Sequence, residues 1–272
     1  MSPGAAAFPP DSAVRRITRQ RAVLLYGPAS LALQVSHPLV AAGVKRYSDF
    51  AADPLGRLHR TLDSTYRSIF NPPTDAEAAV RCVNKLHANV TGTHGGQAFR
   101  ALDPDLLLWV MATLVMGGVN AHARFLTPLS DADKLAFYRD MRTSTARFGL
   151  PASHGPQTWE QFERYWHEAI HADEFATDPI SRDVAHEITR PTKPFWLRPS
   201  APFARWWLAE TLPPHVAERL GFGRSTVTRS FAAATTAAAK VALRYGPNSV
   251  RFVSYARAAE ARERRRADEP DQ

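Results

Sequence analysis

Cysteine is almost absent. Cys82 stands alone among 272 residues, which excludes an intrachain disulfide framework and any zinc site built on paired cysteines. Long hydrophobic runs are missing too. The longest apolar stretch, Leu106 to Val119, has 14 residues and closes on Gly117-Gly118. That is short of the roughly 20 residues a membrane span needs, so a buried helix is expected and no transmembrane segment. No GxGxxG, P-loop, GxSxG or HExxH occurs, so the common nucleotide, serine-hydrolase and zinc-protease signatures are absent. Glutamate does not occur before Glu77. Residues 1–10 lack a charged region leading into an apolar core, and the stretch after Arg15-Arg16 is interrupted at Gly27-Pro28. A cytoplasmic protein is the expectation.

What is present is ordinary for a folded protein. Hydrophobic residues make up 44% and charged residues 22% of the chain, enough apolar side chain to bury a substantial core. The net charge of +8 invites a nucleic-acid or anionic-membrane partner. The excess is concentrated in Arg15, Arg16, Arg19 and Arg21 at one end and Arg262, Arg264, Arg265 and Arg266 at the other. No nucleic-acid partner is expected from so local a distribution, and a homo-oligomer is compatible with it.

Residues 1–10 are expected to be disordered, residues 11–260 to form one helical domain, and residues 261–272 a charged tail. A basic helix over about residues 13–25 should break at Gly27-Pro28. A second, Ala29 to Ser36, should end at His37-Pro38, because the residue before proline resists helical dihedrals. Asp53-Pro54 supplies a cap and a first-turn proline for the next helix. Thr74-Asp75-Ala76-Glu77 and Thr158-Trp159-Glu160-Gln161 read as capping boxes, and Ser130 caps a helix reaching about Phe148. Gly92 and Gly95-Gly96 mark the end of the helix that Thr74 begins. Asp103-Pro104 opens a helix apolar nearly all round, the expected centre of the fold. From Arg190 to Pro214 an aromatic, proline-rich connector is expected to pack on the domain. Thr226 to Tyr245 and Asn248 to Arg265 read as the last helices. With no strand of sustained alternation, the fold class is all-α, a single globular helical domain.

Two helices carry the candidate chemistry. Arg57, Arg60 and Thr61 stand at i, i+3 and i+4, so two cations and a hydroxyl share one stripe beside the apolar stripe Leu58, Leu62 and Ile69. His87 falls in step with Val80, Val83 and Val90 on the apolar face of the following helix. A histidine so placed is either a satisfied core residue or, through one ring nitrogen, an iron ligand. The arginine stripe is either a surface salt-bridge row or the lining of a pocket. Of the other histidines, His167 and His171 share a face at i, i+4 as a solvated pair, His37 caps a helix end, and His94 is a loop residue.

Four ordered segments resemble a known family. They are Ala32-Leu-Gln-Val-Ser-His37-Pro38-Leu-Val-Ala-Ala-Gly43-Val, Asp53-Pro54-Leu-Gly-Arg57-Leu-His-Arg60-Thr61, His87-x-x-Val90-x-Gly92, and Ala101-Leu-Asp103-Pro104-x-Leu-Leu-Leu-Trp109-Val110. Together they resemble the rubber-oxygenase (latex-clearing protein) catalytic domain, which includes the mpaB-type oxygenases, over about residues 15–220. The resemblance implies an all-α fold around a buried heme b, with His87 as axial iron ligand and Arg57, Arg60 and Thr61 near the distal side. Characterised members use dioxygen to cleave carbon–carbon double bonds in isoprenoid chains. This chain departs from the family at three places. Arg60 stands where rubber-cleaving members have Lys, and a protonated arginine does not ligate iron. The Glu base expected shortly before Arg57 is missing, and Met111 follows Trp109-Val110 where many relatives have His.

The function expected from residues and resemblance together is a heme-b-dependent oxygenase, or peroxidase-like oxidase, acting with dioxygen on a small apolar or isoprenoid-like substrate. His87 would hold the iron. Arg57, Arg60 and Thr61 would be the catalytic polar groups, with Arg57 also touching the cofactor. Trp109, Met111 and Met116 would form a pocket wall. Two rivals stand beside it: a non-enzymatic heme- or lipid-binding protein that kept the fold and lost the base, and a basic helical regulator that binds nucleic acid.

Overall fold

The computed structural model describes residues 7–48, 53–190, 194–223 and 226–268. Three helices, α1 (Ala13–Thr18), α2 (Arg21–Val35) and α3 (Pro38–Tyr47), precede a helical hairpin of α4 (Pro54–Phe70) and α5 (Pro73–His87). Strands β1 (Thr91–His94) and β2 (Gln97–Arg100) follow, then α6 (Pro104–Phe125), α7 (Asp131–Ala146), α8 (Trp159–His171) and α9 (Pro179–Ile188). A 3-10 turn, Phe195–Ser200, leads into α10 (Ala201–Thr211) and α11 (Pro214–Arg219). The chain closes with α12 (Thr226–Tyr245), α13 (Asn248–Arg251) and α14 (Ser254–Asp268). The single all-α domain expected from the sequence is thus observed, with one small sheet added.

Helix α6 is the axis. Leu107, Leu108, Ala112, Val115, Ala121 and Phe125 on it are all buried in the main core, and α2 lies along it. Gly117 and Gly118 do not end this helix. A Cβ on Gly117 would run into Ser30 of α2, and one on Gly118 would come within 2.7 Å of the Phe137 ring of α7, so both serve close approach. The helix therefore runs for 22 residues, long and apolar enough by length and composition to cross a membrane. Its most apolar window is 67% buried inside the protein, which is how a core helix passes the same test.

Three local expectations are corrected. Helix α2 continues through Gly27-Pro28 with Pro28 inside it, although an interior proline costs about 3 kcal/mol. Packing on α6 offsets that cost, and Trp207 Nε1 donates to the Leu25 carbonyl at 2.8 Å, one residue along from the carbonyl that Pro28 leaves without its helical donor. The first break instead falls at Gln20, which bridges to Phe252 far along the chain. Helix α5 starts at Pro73 without a side-chain cap, because a proline at the first position already fixes the helical dihedral, so Thr74 is inside the helix and no capping box forms. Gly95 (φ 57°) and Gly96 (φ 79°) make the two-residue turn of a hairpin that pairs Thr91 with Arg100 and His94 with Gln97. Consecutive left-handed residues match the twist of paired strands, and glycine adopts them without strain. By contrast, Asp53, Ser130 and Thr158 cap their helices as expected.

The chain ends also differ from expectation. Phe8 is buried in the core and the Ala7 amide donates to the Asn71 carbonyl, so residues 7–10 are ordered, while residues 1–6 lie outside the described ones. The expected tail from 261 is helical up to Asp268. Glu263 there accepts two bonds from the buried Arg15, at 2.7 and 3.1 Å, and Glu260 pairs with Arg19. Residues 269–272 lie outside the described ones. Arg16 pairs at the surface with Asp133 and Arg21 Nε donates to the Phe252 carbonyl, so all four N-terminal arginines have partners within the chain.

Candidate functional site

Helix α4 is built to hold its first turns firmly. The Asp53 carboxylate accepts from the Gly56 amide at 3.0 Å and from Arg60 Nη1 at 2.9 Å, and these bonds hold it below the usual carboxylate range. A Cβ at position 56 would collide with that carboxylate, so the cap needs glycine there. The Arg60–Asp53 pair is solvent-exposed on both sides and as an isolated surface pair contributes little stability. Arg60 thus belongs to the surface salt-bridge alternative, and Thr61 is exposed beside it.

The inward stripes of α4 and α5 are covered at one end only. Tyr66, Ile69 and Phe70 on α4 and Ala76, Ala79 and Val80 on α5 are buried. Towards the N-terminus of α4 the cover thins: Leu62 is half-buried and Leu58 exposed. Towards the C-terminus of α5 it thins in the same way, through half-buried Val83 and Asn84 to His87. Since α4 and α5 form a hairpin joined by Asn71-Pro72, these two ends meet. Arg57 sits there, half-buried, and close enough to His87 to act on its charge.

The electrostatics are those of a partly covered side chain beside a cation. His87 is exposed as a residue. Even so, the protein crowding it pushes its pKa down, and the Arg57 guanidinium pushes it further. Burial lowers Arg57 itself to about 10, with Arg60 on the next turn adding to the shift. The imidazole is therefore neutral, with a lone pair to give, and a cation stands beside it. Leu58 and Leu86, the latter 65% exposed, supply apolar surface at the same end. The expectation that His87 faces a packed core is corrected in this respect: it lies on the core stripe, but past the point where that stripe is covered.

The remaining expected site residues are placed elsewhere. Trp109 is 2% and Met111 1% exposed. The Trp109 ring stacks on Trp166 at 5.6 Å, meets Phe175 edge-on, and donates through Nε1 to the Gln34 carbonyl. Both residues are core, and neither faces open space, so the cofactor contact expected of them is not borne by their position. Among the apolar residues of α6, Leu114 is exposed, and Val110 and Met116, the latter expected in the pocket wall, are half-buried. His37 Nδ1 accepts from the Leu39 amide and caps α3. His94 is in β1, where its Nε2 donates to the Asp178 carboxylate at 2.8 Å and ties the hairpin to the cap of α9. His167 and His171 stack at 4.2 Å, and His215, which spacing could not have found, stacks on His171 at 4.4 Å. Among the described residues no group of three or more His, Cys, Asp or Glu is placed to hold a metal ion.

Comparison with known proteins agrees with this reading of the segments. Two mycobacterial proteins, both described as uncharacterized, one from Mycobacterium tuberculosis and one from Mycobacterium bovis, are each 27% identical to the chain over 154 residues. The match covers 54% of this chain and 60% of each relative. No solved structure matches. The family described as "ER-bound oxygenase mpaB/B'/Rubber oxygenase, catalytic domain" matches residues 14–242, and with most of its length so covered the chain belongs to that family.

Proposed function

We propose that the chain is a heme-b-dependent oxygenase, or a peroxidase-like oxidase, acting with dioxygen on a small apolar, isoprenoid-like molecule, with His87 as the iron ligand. The observation that carries the proposal is the placement of His87. It is a neutral imidazole on the inward stripe of α5, open where that stripe loses its cover, beside Arg57 and between exposed Leu58 and Leu86. A heme asks the protein for one axial side chain, apolar walls and a cation for its carboxylates, and this set fits that demand. Bound there, the heme would supply the redox chemistry and the protein the binding and electrostatics. His87 presents its lone pair because crowding and Arg57 disfavour its protonated form. Arg57 holds a fixed positive charge at the mouth, able to pair with a carboxylate of the cofactor or orient a polar end of the substrate. Leu58 and Leu86, both exposed, would supply apolar contact to the bound group. Asp53 fixes Arg60 and the first turn of α4, which keeps Arg57 in register.

The non-enzymatic alternative draws on one feature, the absence of glutamate before Glu77. The carboxylate that caps α4, Asp53, is already engaged by Arg60 and the Gly56 amide. The two readings separate in one experiment. Purified, heme-loaded protein is given oxygen, or peroxide, with a panel of isoprenoid and other apolar substrates, and products are followed by mass spectrometry alongside the oxidised, reduced and carbon monoxide absorption spectra. Oxygenated products together with heme spectra support the enzyme. Heme spectra without product leave the non-enzymatic heme-binding protein, and no heme uptake after reconstitution refutes every heme-dependent reading and leaves only a lipid-binding protein.

A further inference from the structure

The connector from Arg190 to Pro214 was expected to pack, and it does so in part: Trp207 is buried and Trp206 half-buried, but its other three large aromatic side chains are not covered. Phe195 is 76%, Trp196 60% and Phe203 53% exposed, although folding ordinarily covers such rings. Phe203 belongs to a patch that continues onto α12, and the turn that carries Phe195 and Trp196 runs directly into α10. Phe203 and Trp206 meet at 5.3 Å, and Trp206 meets Phe231 of α12, itself exposed, at 4.9 Å. Pro194, Pro199 and Pro202 stiffen the turn that presents them.

Charge in the two segments that carry the patch has one sign. From Thr189 to Ala209 the sequence carries Arg190, Lys193, Arg198 and Arg205 and no Asp or Glu, and from Leu220 to Ala259 it carries no Asp or Glu either. Arg205 Nη1 donates to His186 Nδ1 at 2.9 Å, which joins the patch to a cleft of about 590 Å³ lined by Arg182, His186 and Arg190. Two carboxylates, Asp183 and Glu187, also line this cleft, and Glu187 is taken by Lys45. Large rings set among cations, with no carboxylate between them, match the boundary layer of an anionic bilayer. Rings enter the headgroup region while guanidinium groups meet the phosphates. A second copy of the chain fits less well, because a two-fold contact through this patch would set cations against cations.

We propose that the 3-10 turn Phe195–Ser200, with Phe203 of α10 and Phe231 of α12, is a docking surface for an anionic lipid bilayer. The docking is independent of the heme reading and holds whether or not His87 ligates iron. It is tested by flotation of the full chain with vesicles of phosphatidylcholine alone and of phosphatidylcholine with phosphatidylglycerol. Binding is expected to the anionic vesicles, to fall as salt rises, and to drop at least tenfold in Phe195→Ser/Trp196→Ser. Both side chains are exposed, so this double variant should melt with the parent. A second measurement uses the unaltered protein. Brominated lipid should quench its tryptophan emission, because Trp196 is exposed whereas Trp109, Trp159, Trp166 and Trp207 are buried. Failure of the parent to float with anionic vesicles overturns the proposal, as does floating that the double variant retains in full. Concentration-dependent self-association lost in the double variant, without vesicle binding, assigns the patch to a dimer instead and overturns it too.

Discussion

In the proposed function His87 and Arg57 act through one coupling. Crowding lowers the histidine pKa first and Arg57 lowers it further, so Arg57→Leu should raise the His87 pKa towards its ordinary value without fully restoring it. An NMR titration of the ring checks this, and an unmoved pKa would separate the two residues. The sign of the pH effect follows. A folded pKa below the unfolded value means the unfolded chain takes up the proton first, so stability falls as pH drops below about 6.5 and levels off beneath the folded pKa. Heme affinity through the same nitrogen should persist below pH 6.5 and fail only at the lower, folded value. Heme released with a midpoint at or above 6.5 would contradict the depressed pKa. The stripe of Arg57, Arg60 and Thr61 was legible in the sequence, and so was the phase of His87. Its exposure was not, because that depends on where the neighbouring helices stop covering α5.

At the scale of elements, caps were legible and long-range substitutes for caps were not. Asp53, Ser130 and Thr158 each accept the backbone donor that their position predicts. Asp53→Ala should destabilise the chain by about 1 kcal/mol, and Gly56→Ala should act in the same direction by driving a Cβ into the Asp53 carboxylate. Denaturant melts measure both. In either variant the loosened first turn should also weaken heme binding, because Arg57 rides on it. A variant with the parent's midpoint would show that the cap holds nothing. The continuation of α2 through Pro28 rests on α6 and on Trp207, 179 positions away, and no local pattern carries that. The Gly95-Gly96 hairpin is different. Two glycines between short runs of β-compatible residues are a recognised turn signal, and here they were assigned to a helix end because His87 and Val90 favoured the helical period.

For the whole molecule, the first and last helices are joined. Arg15, 4% exposed at its side chain, is bidentate with Glu263 of α14 and lies over the Phe70 ring at 5.3 Å. Deleting a partner of a fully buried pair costs about 3–5 kcal/mol. With Glu263 about a third exposed, Glu263→Ala should cost roughly 2 kcal/mol by the same argument, read as a shift in the urea midpoint. A loss within a few tenths of a kcal/mol would mean that Arg15 is served as well by the Phe8 carbonyl alone. This closure places α14 against α4, and so behind the helix that carries Arg57. The architecture brings His87 and Arg57 to the uncovered end of the α4–α5 hairpin, but iron ligation there is a claim about one side chain.

That claim is tested most directly by replacing the ligand and then supplying it from solution. His87→Gly is reconstituted with heme and its absorption recorded before and after addition of free imidazole. A parent Soret band, lost or shifted in His87→Gly and restored by imidazole, is the expected result. The same Soret band in His87→Gly without imidazole would contradict axial ligation by His87.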